Sequence, residues 1–440
     1  MATTYLTRTG ATPTTSNKYT FSCWVKRGSI GTTETIFRTY SDGSNSAQLI
    51  FDSDDTFAFQ DIVGGTTVTN LKPSNLFRDT GAWMNFIVQV DYTQATAADR
   101  AKIFINGGEV SYSATTVQSQ NGASMLNTAN NNALGSNRSN SSHYFTGSMS
   151  QVNFIDGTAY PATAFGSVNA TSGIWVANSG PTVTYGNNGF FLDMANSSDM
   201  GNDVSGNAND FTVGGGTVTQ IEDTPDNNFA TLNLLDNYYS AATFSNGNNT
   251  VATAAAPVNW VASTFQVNKG KWYAECKPTA GTGSALVGFA GSTSKNSTQI
   301  LETAGFFGGN YVNNGEYFFN GSGGAYASSF ANGDIISVYL DLDNNFVYFA
   351  KNGVLQNSGV PTSGATGTGG KAITAAALTT NGGYAFACGD GNTATRTFDW
   401  NFGNGYFGTT PVSSAGTNAS GNGIFEYDVP TGYTALSTKG

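Results

Sequence analysis

Apolar and polar residues alternate in short runs along most of the chain, and each run ends in Gly, Asn, Asp or Ser, a pattern that predicts strands joined by turns. Residues 19–27, Tyr-Thr-Phe-Ser-Cys-Trp-Val-Lys-Arg, alternate in this way, and further strands are expected at 35–40, 48–52, 57–63 and 84–91. One longer pattern occurs twice: a strand-like run, an aspartate, a turn, a second run, then Asn-Gly. The first copy runs from Phe86 through Asp91 to Asn106-Gly107, the second from Ile336 through Asp341 to Asn352-Gly353. Alternation puts one face of each strand on a core, and Asn-Gly tolerates the positive φ of a tight turn. The expected fold class is therefore all-β, with two antiparallel β-sandwich (jelly-roll) domains.

Length and composition agree with two cores. At 440 residues the chain suits two sandwiches of about 150 to 200 residues each. Charged residues make up only 11%, and Gly (55) and aromatics (13%) are plentiful, which disfavours helices. A net charge of -11 repels a phosphate backbone, so nucleic acid is excluded as a partner. No apolar run is long enough to insert in a membrane, and the start, Met1 to Arg8, lacks the apolar stretch of a signal peptide. Cys23, Cys276 and Cys388 are far apart and odd in number, so buried free thiols are expected rather than disulfides.

Trp24-Val25-Lys26-Arg27, Trp83, the Asp91 to Asn106-Gly107 hairpin and the strand from Gly147 to Gly157 resemble a concanavalin-type or laminin-G-like jelly roll. The stretch from Gly186-Asn-Asn-Gly189 through Gly201-Asn-Asp203 and Asn207-Ala-Asn209-Asp210 to Asp223-Thr224-Pro225 is similar to a module of virion proteins of marine bacteriophages. Lys271-Trp272-Tyr273, Gly333-Asp334-Ile335, Leu340-Asp341-Leu342-Asp343, Lys351-Asn352-Gly353 and Asn401-Phe402-Gly403 together resemble a SPRY domain. These resemblances imply a laminin-G-like domain over 1–180, a phage-type connecting segment and linker over 181–245, and a SPRY-like sandwich over 246–440.

Candidate chemistry is sparse. His143 stands alone, so neither a catalytic triad nor a histidine-based zinc site can be assembled, and a surface histidine is expected. Glycoside hydrolysis needs paired carboxylates; the pairs with suitable spacing, Asp52 with Asp54 and Asp341 with Asp343, read better as polar turns. Asp52, Asp54 and Asp55 also form a candidate calcium site, because a hard cation takes several oxygen ligands and the resemblance to laminin-G-like domains implies one on a loop rim. Asp341, Asp343 and Asn345 begin like an EF-hand loop, but Phe346 and Asn352 stand where that loop needs Gly and Glu. Among the aromatics of 306–330, Tyr311 with Asn313 and Asn314 is the candidate ligand contact, a ring between polar loop residues.

The expectation is a non-enzymatic phage virion surface protein, a capsid decoration or a tail-associated adhesin, made in the host cytoplasm and present as a homo-oligomer or multicopy array. Its partners would be other virion proteins and host surface polysaccharide. Calcium is the sole cofactor considered. A glycan-binding module of a bacterial surface protein and a polysaccharide-degrading enzyme are the alternatives.

Overall fold

A computed structural model of the chain describes residues 3–137, 142–238, 242–255, 259–291, 307–377, 380–391 and 394–440. These residues form mainly antiparallel sheets with only single-turn 3-10 helices between them. They divide into two compact units, Met1–Gln220 and Ile221–Gly440.

The first unit stacks an eight-stranded sheet on a six-stranded one. In spatial order the larger sheet runs Tyr112–Thr116, Thr66–Pro73, Phe57–Val63, Asn45–Phe51, Glu34–Asp42, Asn131–Leu134, Tyr5–Thr9 and Thr212–Gly215. The smaller runs Phe190–Leu192, Gly147–Asp156, Lys18–Arg27, Met84–Asp91, Ala101–Ile105 and Gly108–Glu109. Between them lies a core built from the inward positions of each strand: Phe21, Cys23 and Val25 from one layer meet Phe37, Leu49, Phe51 and Phe59 from the other. Phe21 stacks on Phe37 with ring centroids 5.3 Å apart. The Asn-Gly turn behaves as its composition dictates, with φ of 48° at Asn106 and 79° at Gly107.

Residues 181–245 supply strands to both units. Phe190–Leu192 pairs with Gly147–Asp156, and Thr212–Gly215 pairs with Tyr5–Thr9. Asp203 pins this segment: its carboxylate accepts the N–H groups of Phe191 (2.8 Å), Ser205 (2.9 Å) and Asn209 (2.8 Å). Short polar side chains that bond nearby backbone thus fold a Gly/Asn-rich stretch that composition alone reads as a connection.

The second unit repeats the plan with different connections. Its seven-stranded sheet includes Asn259–Ser263, Tyr384–Asp390, Ala285–Gly291, Gly309–Val312, Glu316–Phe319 and Ser322–Ala325; its other sheet centres on Arg396–Asn401, Lys271–Gly281, Ile336–Asp341 and Phe346–Lys351. Trp400, Phe402 and Phe386 fill the space between. Cys276 and Cys388 lie in that core and Cys23 in the first, all three buried free thiols.

Candidate functional site

Each sandwich has outer faces as well as a core, and what covers them differs. On the six-stranded sheet of the first unit the outward residues include apolar Ile87, Phe104 and Ile155 and buried polar Asn85 and Asn153; the chain folds Tyr160, Phe165, Trp175 and Tyr185 over them, with Trp175 donating to Asn85 and Tyr185 to Asn153. The eight-stranded sheet carries a continuous polar row outward. Register places Arg38 opposite Gln48, Gln48 opposite Gln60 and Gln60 opposite Asn70, so four adjacent strands align four polar side chains in one row. Alternation puts Arg38 and Asn70 on the face opposite to the buried Phe37 and Leu71. At a strand spacing of about 4.8 Å the row extends about 14 Å.

Much of the hydrogen-bonding capacity of this row is unspent. Gln48 Nε2 donates to Gln60 Oε1 at 2.9 Å, which orients both amides. Arg38 Nη1 donates to Asn137 Oδ1, and Asn137 Nδ2 lies 3.3 Å from Nδ1 of the exposed His143. The Arg38 guanidinium also lies 5.1 Å from the centre of the Tyr40 ring. Among the described residues Arg38 Nε and Asn70 Oδ1 are buried without any partner. Burial pushes the Arg38 guanidinium below its ordinary pKa, and Tyr40 acts in the opposite direction. Planar amides and a guanidinium in a row, next to an aromatic ring, can bracket the hydroxyl pairs of a sugar and stack on its apolar face.

The aspartates at the rim are already satisfied. Lys72, two residues beyond Asn70, places Nζ 3.0 Å from both Asp52 and Asp54. Asp55 is buried and accepts from Arg27 (3.2 Å), Arg78 (2.9 Å) and the N–H of Gly31 (2.7 Å). Hydrogen bonds from Thr56 and Lys72 pull the Asp54 carboxyl down to about 2. A calcium ion does not fit here: cations of the protein hold all three carboxylates, and no group of three metal-ligating side chains gathers among the described residues.

Tyr311 lies inside the second core, fully buried, with its hydroxyl donating to the Ser328 carbonyl and its ring 4.9 Å from that of Phe330. A ring held there presents no face to a ligand. Asn313 brackets a turn, accepting from the Ala285 N–H (2.9 Å) and donating to the Gly283 carbonyl (3.0 Å), while Asn314 bonds Glu316. The same aromatic stretch does line a cleft of about 330 Å³, bounded by Tyr317, Phe319, Ser322 to Ala325 and Lys371. Asp341 is buried against Lys271 at 2.8 Å, and Asp343 accepts the Gly270 N–H, so neither stands as a free acid.

Two β-sandwiches, one carrying a row of polar side chains on the outside of its eight-stranded sheet, make up the described chain. The first module is a laminin G domain of the concanavalin A-like lectin/glucanases superfamily, matched over residues 2–163, and the second is a SPRY domain, matched over residues 269–390. No curated protein sequence matches the chain. Among solved structures, the SPRY domain of human HERC1 is 14% identical with a TM-score of 0.31, the likeness covering 38% of this chain and 96% of that one. A native heptameric SAP-like pentraxin from Limulus polyphemus is 14% identical with a TM-score of 0.30, covering 41% and 87%. Stonustoxin is 14% identical with a TM-score of 0.29, covering 39% and 27%.

Proposed function

We propose that the chain is a non-enzymatic virion surface protein of a bacteriophage, a capsid decoration or tail-associated adhesin, that holds glycan chains on the outer face of the eight-stranded sheet. The observation that carries this reading is the row Arg38, Gln48, Gln60 and Asn70, brought into register from four strands with donors and acceptors left unspent. Buried polar groups without partners cost free energy, so their retention in this row favours a ligand that completes them. The non-enzymatic part draws support from Asp54, whose carboxyl is far too acidic to donate a proton near neutral pH, and from Lys72, which bridges it to Asp52. The virion role rests on the resemblance of residues 186–233 to a phage module.

A shallow sugar site of millimolar affinity contributes only about -4 kcal/mol. Many copies on one particle raise apparent affinity by about 10² to 10⁴, and docking to other virion proteins would supply that array. A glycan array probed with the wild-type chain and with the Q48A/Q60A double variant tests the binding reading. Signal lost in the variant supports it; equal signal from both, or none from either, overturns it. Release of reducing ends from any bound glycan would refute the non-enzymatic assignment. Immunogold labelling of phage particles would do the same for the virion role if no particle is decorated.

A further inference from the structure

We infer that the glycan held on this face is acidic, and that a carboxylate of one of its sugar units sits on Arg38 at one end of the row. The inference rests on the glycan reading above and adds the chemical class of the ligand. Of the other cations near this sheet, Lys72 has Asp52 and Asp54, Arg27 has Asp55 and Glu34, and Arg78 has Asp55, whereas Arg8 is held by the amides of Asn132 and Asn188 and keeps a buried Nη1 without a partner. Arg38 has no carboxylate partner among the described residues. Its protein contacts are one amide oxygen, on Asn137, and the face of Tyr40.

A half-buried guanidinium normally keeps its fork filled, because removing a cation from water is costly unless an anion or several acceptors replace the solvent. Here Nη1 is taken, Nε is buried and unpartnered, and Nη2 makes no hydrogen bond to described residues. A planar carboxylate is the ligand group that matches a guanidinium fork, since it accepts two parallel hydrogen bonds and neutralises the charge. Asn137, steadied by His143, holds one side of the guanidinium and so fixes its orientation without neutralising it. Gln48, Gln60 and Asn70 then continue across the sheet as neutral donors and acceptors, suited to hydroxyl groups. The strand spacing of about 4.8 Å is close to the repeat of an extended pyranoside chain, so successive sugars can meet successive strands. The net charge of -11 gives no diffuse attraction for a polyanion. A preference for the acidic chain therefore reports the local contact.

The test uses the full chain and two matched probes in titration calorimetry: oligogalacturonate, and the same oligosaccharide after chemical reduction of its carboxyl groups. The acidic probe is expected to bind about ten- to a hundredfold tighter than the reduced one. In R38Q, with folding checked by its urea midpoint, that ratio is expected to fall to about one, and R38K, which keeps charge without the fork, to lie between. Equal affinity of the wild type for both probes would overturn the inference and leave the glycan reading standing. Binding of neither would overturn both. A preference that survives R38Q would place the carboxylate elsewhere and sink the assignment.

Discussion

Asp61 offers the sharpest test of the packing described for the first unit. It is fully buried in the strand Phe57–Val63, opposite Thr69, and makes no ion pair among the described residues. Oδ1 accepts the Met125 N–H at 3.0 Å, while Oδ2 has no partner among the described residues. Around it lie two hydroxyl pairs, Tyr19 with Ser124 at 2.8 Å and Tyr92 with Thr69 at 2.7 Å. Burial raises the carboxyl from 3.8 to about 6, only partly offset by Ser124 and the Met125 N–H. The folded state therefore holds the proton more tightly than the unfolded chain, so stability falls as pH rises between about 4 and 6 and is flat outside that window. At about 1.4 kcal/mol per pH unit, the carboxylate costs about 3 kcal/mol at neutral pH. Asp61→Asn keeps the shape and the acceptor for Met125 but removes the charge. Pulse proteolysis in urea, which reports the two units as separate fragments, should show the variant gaining about 3 kcal/mol over wild type at pH 7 relative to pH 4 in the first unit alone. A wild-type and variant difference that stays constant from pH 4 to pH 7 would refute the argument.

Other substitutions follow from the same contacts. Arg27→Met strands Asp55 and Glu34 without their buried cation and should destabilise the first unit by about 3 to 5 kcal/mol in the same urea assay, with the second unit's transition unmoved. Adding calcium and then EDTA should leave the melting temperature where it began; a calcium-dependent rise would show that the ion displaces Lys72 from Asp52 and Asp54. Tyr311→Ala should cost the second unit about 3 to 5 kcal/mol through the cavity it leaves, while binding on the glycan array stays as in wild type.

The architecture was legible because alternation and turn chemistry agree: the run at 19–27, the Asp91 and Asp341 turns and both Asn-Gly pairs lie where strands and hairpins form. Tyr311 shows where local pattern fails. Its polar neighbours suggested a loop, yet Gly309–Val312 is a central strand buried on both faces, and even Asn310 is fully enclosed. Burial on both sides leaves no alternation by which to tell rim from core. The row of polar groups was invisible for another reason. Arg38, Gln48, Gln60 and Asn70 are ten to twelve residues apart, and only the strand registers bring them together. The usable signal was one polar residue at the same outward phase in four successive strands.

That signal gains meaning by contrast with the other outer faces. Where outward positions are apolar, the chain covers them with its own segments: Trp175 and Phe165 over Ile87 and Ile155 in the first unit, and Phe425 and Tyr433 over Tyr273 and Tyr339 in the second. Such covers are what burial of apolar surface requires, and Phe425 meets Tyr273 edge-on at 4.8 Å as a core pair would. A row of amides and a guanidinium gains little from an apolar cover. In the row itself the outward position is polar in each of four successive strands. A substitution that reverses this polarity gives the corresponding prediction. Placing leucine at both Gln48 and Gln60 should leave the urea midpoint of the first unit nearly unchanged, abolish array binding, and promote self-association visible by light scattering as the new apolar stripe seeks a cover. Retained binding by that variant would show that the ligand lies elsewhere.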